Sequence, residues 1–271
     1  MSGLAGRSAL VTGGGSGIGL GVAKRFAADG AHVTIAGRTQ SRLEAAVEEI
    51  AGVAAPGATV RHVVADVTVE PDVERAVATA ATDDRLDVLF ACAGGSLHGG
   101  PIVSSDAAGW RATVDLNLVG TFLCIKHAGQ SMMRTGGGSI IGMSSIAGHT
   151  THRFMSAYCA SKAGIEMLVK CAADELGEHG IRVNAVQPGI VDTELMAFIT
   201  AGGPVLDSYH ANMPIGRVGT TDDIAAVVAF LAGDESTWIT GQMIGIDGGH
   251  QLRGGPDYGP LLGGAGPTGA N

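Results

Sequence analysis

A short apolar run, Ser8-Ala9-Leu10-Val11-Thr12, passes directly into Gly13-Gly14-Gly15-Ser16-Gly17-Ile18-Gly19 and then into a helix-forming stretch over residues 20–29. With 44 glycines in 271 residues, a glycine motif alone would carry little weight. The context gives it weight, because strand, glycine turn and helix in that order form the dinucleotide-binding arrangement. Glycines let the backbone approach a pyrophosphate closely, and the open amides and positive dipole end of the helix stabilise its charge. Gly13, Ser16, Gly17, Ile18 and Gly19 are therefore candidate cofactor-binding residues.

Further along, strand-like runs at 31–36, 60–65, 87–91, from Ser139, at 181–186 and at 242–246 alternate with helix-like segments. The helical stretches are 40–51, 71–81, 110–135, 158–179 and 220–231, with Pro71 suited to a first helical turn and Thr220 with Asp223 to a cap. This alternation predicts an α/β protein with a doubly wound, parallel seven-stranded sheet and helices on both faces. One domain over residues 1–250 accounts for the pattern, followed by a Gly/Pro-rich tail at 251–271.

Tyr158 and Lys162 stand four residues apart where a helical pattern begins, so both side chains share one face. A lysine cation beside the phenol favours the deprotonated oxygen and lowers a pKa of about 10 towards neutrality, making Tyr158 a candidate general acid. Ser145 ends the apolar run that begins at Ser139, where a strand end and a helix start can converge.

Lys+Arg number 17 against 26 Asp+Glu, a formal charge of −9, which disfavours nucleic acid or an anionic membrane as partner. No stretch approaches the roughly 20 apolar residues needed to span a bilayer, and no export pattern opens the chain, so a cytoplasmic location is expected. The four cysteines, Cys92, Cys124, Cys159 and Cys171, lie in strand-like or helix-like runs without metal-ligand spacing and are expected to be reduced and mostly buried. No metal is expected.

Thr12-Gly13-x-x-x-Gly17-Ile18-Gly19, Asn117, Ser145, Tyr158-x-x-x-Lys162 and Pro188-Gly189, taken together and in this order, resemble the short-chain dehydrogenase/reductase family of single-domain type. The likeness runs from about Gly6 to Gly249 and implies a Rossmann-like fold and reversible hydride transfer between a nicotinamide and a carbonyl carbon. It implies catalytic roles for Asn117, Ser145, Tyr158 and Lys162. Ser145 would bond the carbonyl oxygen, Tyr158 would exchange the proton, Lys162 would also bond the nicotinamide ribose, and Asn117 would hold a water linking Lys162 to solvent. Asp66 and Val67 would receive the adenine, the backbone of Cys92, Ala93 and Gly94 would line the cofactor, and Pro188, Gly189, Val191 and Thr193 would grip the carboxamide end. A homotetramer is also implied. Two positions depart from the family pattern: Ala91-Cys92-Ala93-Gly94 stands where Asn-Asn-Ala-Gly is common, and Gly142 replaces a frequent asparagine.

Cofactor choice is set at the end of the second strand, where an NAD-specific site places a carboxylate for the ribose hydroxyls. Gly37 and Arg38 occupy that place, and a guanidinium suits a 2′-phosphate. NADP(H) is expected, with NAD(H) possible. Residues 194–213 include Leu195, Met196, Phe198, Ile199, Val205, Leu206 and Tyr209 and resemble the family's lid over the substrate. Their apolar side chains suggest a lipophilic ketone or alcohol, a 3-oxoacyl thioester or steroid-like compound among them; a plain packed helix pair is the other reading. His98, His149 and His152 could border the pocket. The tail at 254–271 would be disordered alone and could cross a neighbouring subunit. Competing functions are a non-catalytic redox sensor, which an intact Ser145, Tyr158 and Lys162 argues against, and a sugar epimerase or dehydratase, for which the chain is too short.

Overall fold

The computed structural model describes residues 3–253 together with Pro256, Tyr258 and Leu261. Seven strands, β1 (Ser8–Thr12), β2 (His32–Gly37), β3 (Val60–Val64), β4 (Val88–Ala91), β5 (Gly138–Met143), β6 (Ile181–Pro188) and β7 (Met243–Ile246), form one sheet. Their order is β3-β2-β1-β4-β5-β6-β7, with every pair parallel. The chain reverses its winding direction between β1 and β4, which opens a crevice beyond the carboxyl ends of these strands.

The central strands β1, β4 and β5 are almost wholly buried because both faces are covered, whereas the edge strand β3 carries Arg61 and His62 and is partly exposed. Along β4, Val88 and Phe90 face one core and Leu89 and Ala91 the other, as the two-residue period of a strand requires. The first core packs β1 and β4 against α1 (Gly17–Ala28), α2 (Gln40–Ala51) and α9 (Thr221–Ala232) through Val22, Phe26, Leu43, Ile50, Ile224 and Val228. The second packs α3 (Glu70–Ala80), α5 (Gly120–Thr135) and α6 (Ser156–Gly177) through Val73, Val77, Leu123, Met132, Ile165 and Val169. Phe26 and Phe90 are fully buried, a burial worth roughly 1.5–3 kcal/mol each.

The expected helix over 110–135 proves to be three pieces. α4 (Ala107–Val114) runs through a π-helical turn at Asp115–Val119 into α5, so the chain stays helical while gaining one wide turn at Asn117. The 194–213 segment, expected to resemble a lid or to be a packed helix pair, is built from short pieces. A 3₁₀ turn at Glu194–Met196 is followed by α7 (Ala197–Thr200) and α8 (Pro204–Asn212), with Leu195 65%, Phe198 75% and Val205 54% exposed. Leu195, Phe198 and Val205 thus face outward, Met196, Ile199 and Tyr209 are half-buried, and Leu206 is buried. The expected cap is present: the Thr220 hydroxyl accepts from the Asp223 amide, and the Asp223 carboxylate accepts from the Thr220 amide at 2.7 Å. Of the cysteines, all free, Cys124 is buried, Cys92 and Cys159 are half-buried and Cys171 is exposed, which corrects the expectation of general burial. Among the described residues, no helix is long and apolar enough to cross a membrane and no three His, Cys, Asp or Glu side chains group as for a metal. The tail expected to lie across a neighbour falls almost wholly outside the described residues.

Candidate active site

A cleft of about 400 Å³ opens at the switch point and extends to Tyr158. Its floor is the turn between β1 and α1. Gly13 takes a left-handed φ of 69°, and a Cβ on Gly19 would lie 2.2 Å from the Gly13 carbonyl oxygen, so no larger residue fits where the helix meets the turn. Ser16, the residue before α1, makes no side-chain cap, leaving the first helical amides open towards the cleft. Backbone closeness, open amides and a helix dipole suit a pyrophosphate, so the chain's residues fit the dinucleotide that the sequence pattern implies. Gly13, Ser16, Gly17, Ile18 and Gly19 all line this cleft.

The other expected cofactor residues, Arg38, Asp66, Val67, Ala93, Gly94, Pro188, Gly189, Val191 and Thr193, line it too, and the Thr193 side chain packs against Gly17. Among the described residues no hydrogen bond or ion pair engages the exposed Arg38 side chain. Arg42, one turn into α2, reaches over the rim and donates to both Glu194 oxygens at 3.4 and 3.2 Å. The Asp66 carboxylate accepts from the Thr68 amide at 2.9 Å and from its hydroxyl at 2.8 Å, which fixes the turn after β3. Asn-Asn side chains are missing after β4, and backbone bonds take their place: the Thr12 hydroxyl accepts from the amides of Cys92 at 3.1 Å and Ala93 at 3.2 Å.

Asn117, at 0% exposure, closes the same loop. Its amide nitrogen donates to the carbonyls of Gly95 and Thr113, both at 2.7 Å, and its carbonyl oxygen accepts from the Gly95 amide at 3.1 Å. The π turn is what points this side chain at the β4 loop, so Asn117 links two walls of the cleft.

Ser145, Tyr158 and Lys162 do converge. Ser145 follows β5, where its hydroxyl accepts from the Ala147 amide at 3.1 Å and bonds the Tyr158 phenol. Lys162, 3% exposed, donates from Nζ to the Met143 carbonyl at 2.7 Å, and Nζ lies 5.4 Å from the centroid of the Tyr158 ring. The electrostatics depart from expectation. Burial pushes Tyr158 up to about 12, against the opposing Ser145 bond, and pushes Lys162 down to about 8. The lysine does not acidify the phenol here, because its ammonium is spent on a carbonyl and sits over the ring, while desolvation of both groups dominates. Burial also raises Cys92 to about 12, so its thiol is neutral beside Lys162.

Sequence reasoning named Thr12 in the glycine motif without its bonds to Cys92 and Ala93, and missed Arg42 and the polar layer under Ser145. There the Glu166 carboxylate accepts from Ser144 Oγ at 2.9 Å and Gln187 Nε2 at 2.7 Å, with His149 Nδ1 3.7 Å away. No local pattern announces these partners, although Thr12 ends the strand before the glycine turn and its place there is a usable signal. His149 thus belongs to this layer, and His152 lies beside the lid, with Nε2 3.3 Å from the Tyr209 hydroxyl.

The family model described as Enoyl-(Acyl carrier protein) reductase matches residues 13–251. The short-chain dehydrogenase/reductase eriH of Hericium erinaceus is 42% identical over 245 residues, 89% of this chain and 96% of that protein. The cis-4-hydroxycyclohexanecarboxylate dehydrogenase of Sinomonas cyclohexanicum is 38% identical over 245 residues, covering 90% and 96%. A solved short-chain type dehydrogenase/reductase from Mycobacterium ulcerans superposes with a TM-score of 0.91 at 44% identity, covering 96% of this chain and 95% of that one. With the glycine cradle, the Ser145, Tyr158 and Lys162 cluster and these likenesses in agreement, the chain belongs to the short-chain dehydrogenase/reductase family, NAD(P)(H)-dependent oxidoreductases acting on alcohols and ketones.

Proposed function

We propose that the protein is an NADP(H)-dependent enzyme that interconverts a ketone and a secondary alcohol. The observation that carries this reading is the convergence of Ser145, Tyr158 and Lys162 at the inner end of the glycine-floored cleft. The cofactor supplies or accepts the hydride. In reduction the carbonyl carbon gains that hydride, and its oxygen gains the Tyr158 proton while Ser145 donates a hydrogen bond to the developing charge. In oxidation the same oxygen, first deprotonated to the phenolate, would receive the alcohol proton. A phenol near pKa 12 is protonated at neutral pH, as a donor must be.

Arg38 supports NADP(H), since a guanidinium with no intramolecular partner is available to a 2′-phosphate and no carboxylate stands at the end of β2. Arg42 lies within reach of the same region. The Ser16 to Gly19 amides would hold the pyrophosphate, Asp66 and Val67 the adenine side, Ala93 and Gly94 the middle, and Lys162 the nicotinamide ribose. Pro188, Gly189, Val191 and Thr193 would bind the carboxamide, and Asn117 would carry a proton-relay water in addition to its bonds to Gly95. The Sinomonas relative, by its name, oxidises a cyclic secondary alcohol, which supports a compact alcohol or ketone as substrate. Exposed Phe122, Met133 and Met167 on α5 and α6 support a homotetramer, which light scattering would measure.

The test pairs two assays. A panel of ketones and secondary alcohols is screened with both cofactors, and Tyr158→Phe is compared with the native protein. Turnover should fall by about 10²- to 10⁴-fold in the variant while NADPH binding persists; retained turnover removes Tyr158 from the mechanism, and equal affinity for NADH and NADPH removes the cofactor assignment.

A further inference from the structure

Three consecutive residues at the end of β5 are each tied to a different turn of α6. The Met143 carbonyl accepts from Lys162 Nζ at 2.7 Å, Ser144 Oγ donates to Glu166 Oε1 at 2.9 Å, and the Ser145 hydroxyl bonds the Tyr158 phenol. Residues 158, 162 and 166 follow one another at intervals of four along one face of the helix. Two of these ties are made by Tyr158 and Lys162 themselves. The third belongs to Glu166, which has no part in the hydride transfer described above.

The Glu166 carboxylate can only accept, so Gln187 presents its Nε2 to it, 2.7 Å from the same Oε1. The second hydrogen of that amide goes to His149 Nδ1 at 3.1 Å. Ser144 and Gln187 are 1% and 6% exposed and the Glu166 side chain 15%, so these charge-assisted bonds lie largely out of water. Glu166, Gln187 and His149 do not line the cleft, but their neighbours in the chain do. Ser144 is followed by Ser145, and Gln187 by Pro188 and Gly189, all of them in the cleft wall.

The turn that pins Ser145 rests on the same carboxylate. Ser145 Oγ accepts from the Ala147 amide inside the 3₁₀ turn Ile146–Gly148. A Cβ at Gly148 would lie 2.8 Å from the Glu166 carboxyl carbon and 3.0 Å from Ser144 Oγ, so backbone and carboxylate are in direct contact there. Glu166 therefore braces the end of β5, the turn after it and the end of β6 against the helix that carries Tyr158 and Lys162.

We propose that Glu166 is a positioning residue for the reaction, holding Ser145 against Tyr158 and, through Gln187, setting the Pro188-Gly189 wall. This rests on the oxidoreductase reading above and extends it to a residue that touches neither substrate nor cofactor. Its effect is exerted through the hydrogen bonds that Oε1 accepts.

The experiment measures kcat and KM with NADPH and the ketone turned over fastest in the panel above, using the full chain as native protein, Glu166→Leu, Glu166→Gln and Gly148→Ala, each shown by circular dichroism to be folded at the assay temperature. Glu166→Leu should lower kcat by about tenfold or more, since small displacements of a reacting group are that costly, with KM for the ketone within about threefold of native. Gly148→Ala keeps every polar group but pushes the carboxylate aside, so it should lower kcat in the same way, and it serves if Glu166→Leu does not fold. Glu166→Gln retains an oxygen that can accept both bonds and should keep kcat within about threefold of native. A role in stability alone would lower the unfolding midpoint and leave kcat unchanged. Native kcat in folded Glu166→Leu or Gly148→Ala, or Glu166→Gln as slow as Glu166→Leu, would overturn the proposal while leaving the oxidoreductase reading intact. Turnover of no ketone or alcohol by a folded, NADPH-binding native protein would overturn that reading and this one with it.

Discussion

Lys162 Nζ lies over the Tyr158 ring, 5.4 Å from its centroid, and gives its hydrogen bond to the Met143 carbonyl at 2.7 Å. The helix spacing that brings the two residues to one face therefore does not by itself acidify the phenol, since burial acts on both groups and in opposite directions.

The first expected outcome follows from that sign. Tyr158 sits near 12 without cofactor, so the phenolate fraction grows tenfold per pH unit throughout the neutral range without reaching a plateau. Ultraviolet difference titration of the cofactor-free native protein against Tyr158→Phe should place the missing ionisation above pH 11. A Tyr158 step near pH 7 would show that the lysine controls the phenol.

Arg38 has no partner within the described chain, so removing it should cost little stability and much NADPH affinity. Charge-assisted hydrogen bonds are worth about 1.5–3 kcal/mol, and Arg38→Ala should weaken NADPH binding by about 10- to 100-fold with NADH nearly unchanged. Calorimetric titration with both nucleotides checks this, and a parallel loss for both would remove Arg38 from phosphate recognition.

Asn117 satisfies three backbone groups in a fully buried position. Asn117→Ala should destabilise the protein by about 3 kcal/mol and loosen the Gly95 loop, measurable as faster amide exchange at that loop. If urea unfolding is unchanged, the bonds described here contribute nothing.

The Thr220 and Asp223 cap is exposed and correspondingly modest. Thr220→Ala should cost about 1 kcal/mol. The Arg217 guanidinium bonded to Asp223 and the Thr220 amide hold its carboxyl well below the usual range. Its stabilisation is thus present above the ordinary value of 3.8 and disappears as pH falls through the native value. The stability gap between native and Asp223→Asn should be constant at pH 6 to 8 and shrink below about pH 4. A gap that widens in acid contradicts the pairing.

Local order was legible wherever the cause was local. The seven strands lie within a few residues of the apolar runs, the glycine turn sits between β1 and α1, and Thr220 caps α9 through a bond only three residues long. Each depends on side-chain period, backbone freedom or a neighbour in the chain. The π turn at Asp115–Val119 had no such signature, since the length of a helical pattern does not show where one turn widens to aim Asn117 at Gly95.

The sequence by itself determined the layered parallel sheet, the cradle at the first helix and the residues that would meet at its end, because periodicity and spacing act along the chain. Tertiary structure decided the rest. Burial reversed the expected acidity of Tyr158, turned the lid's Leu195 and Phe198 outward, and brought His152, Tyr209 and His250 together from three segments. Desolvation and long-range hydrogen bonding depend on which surfaces are hidden by remote parts of the chain, and no stretch of sequence carries that information alone.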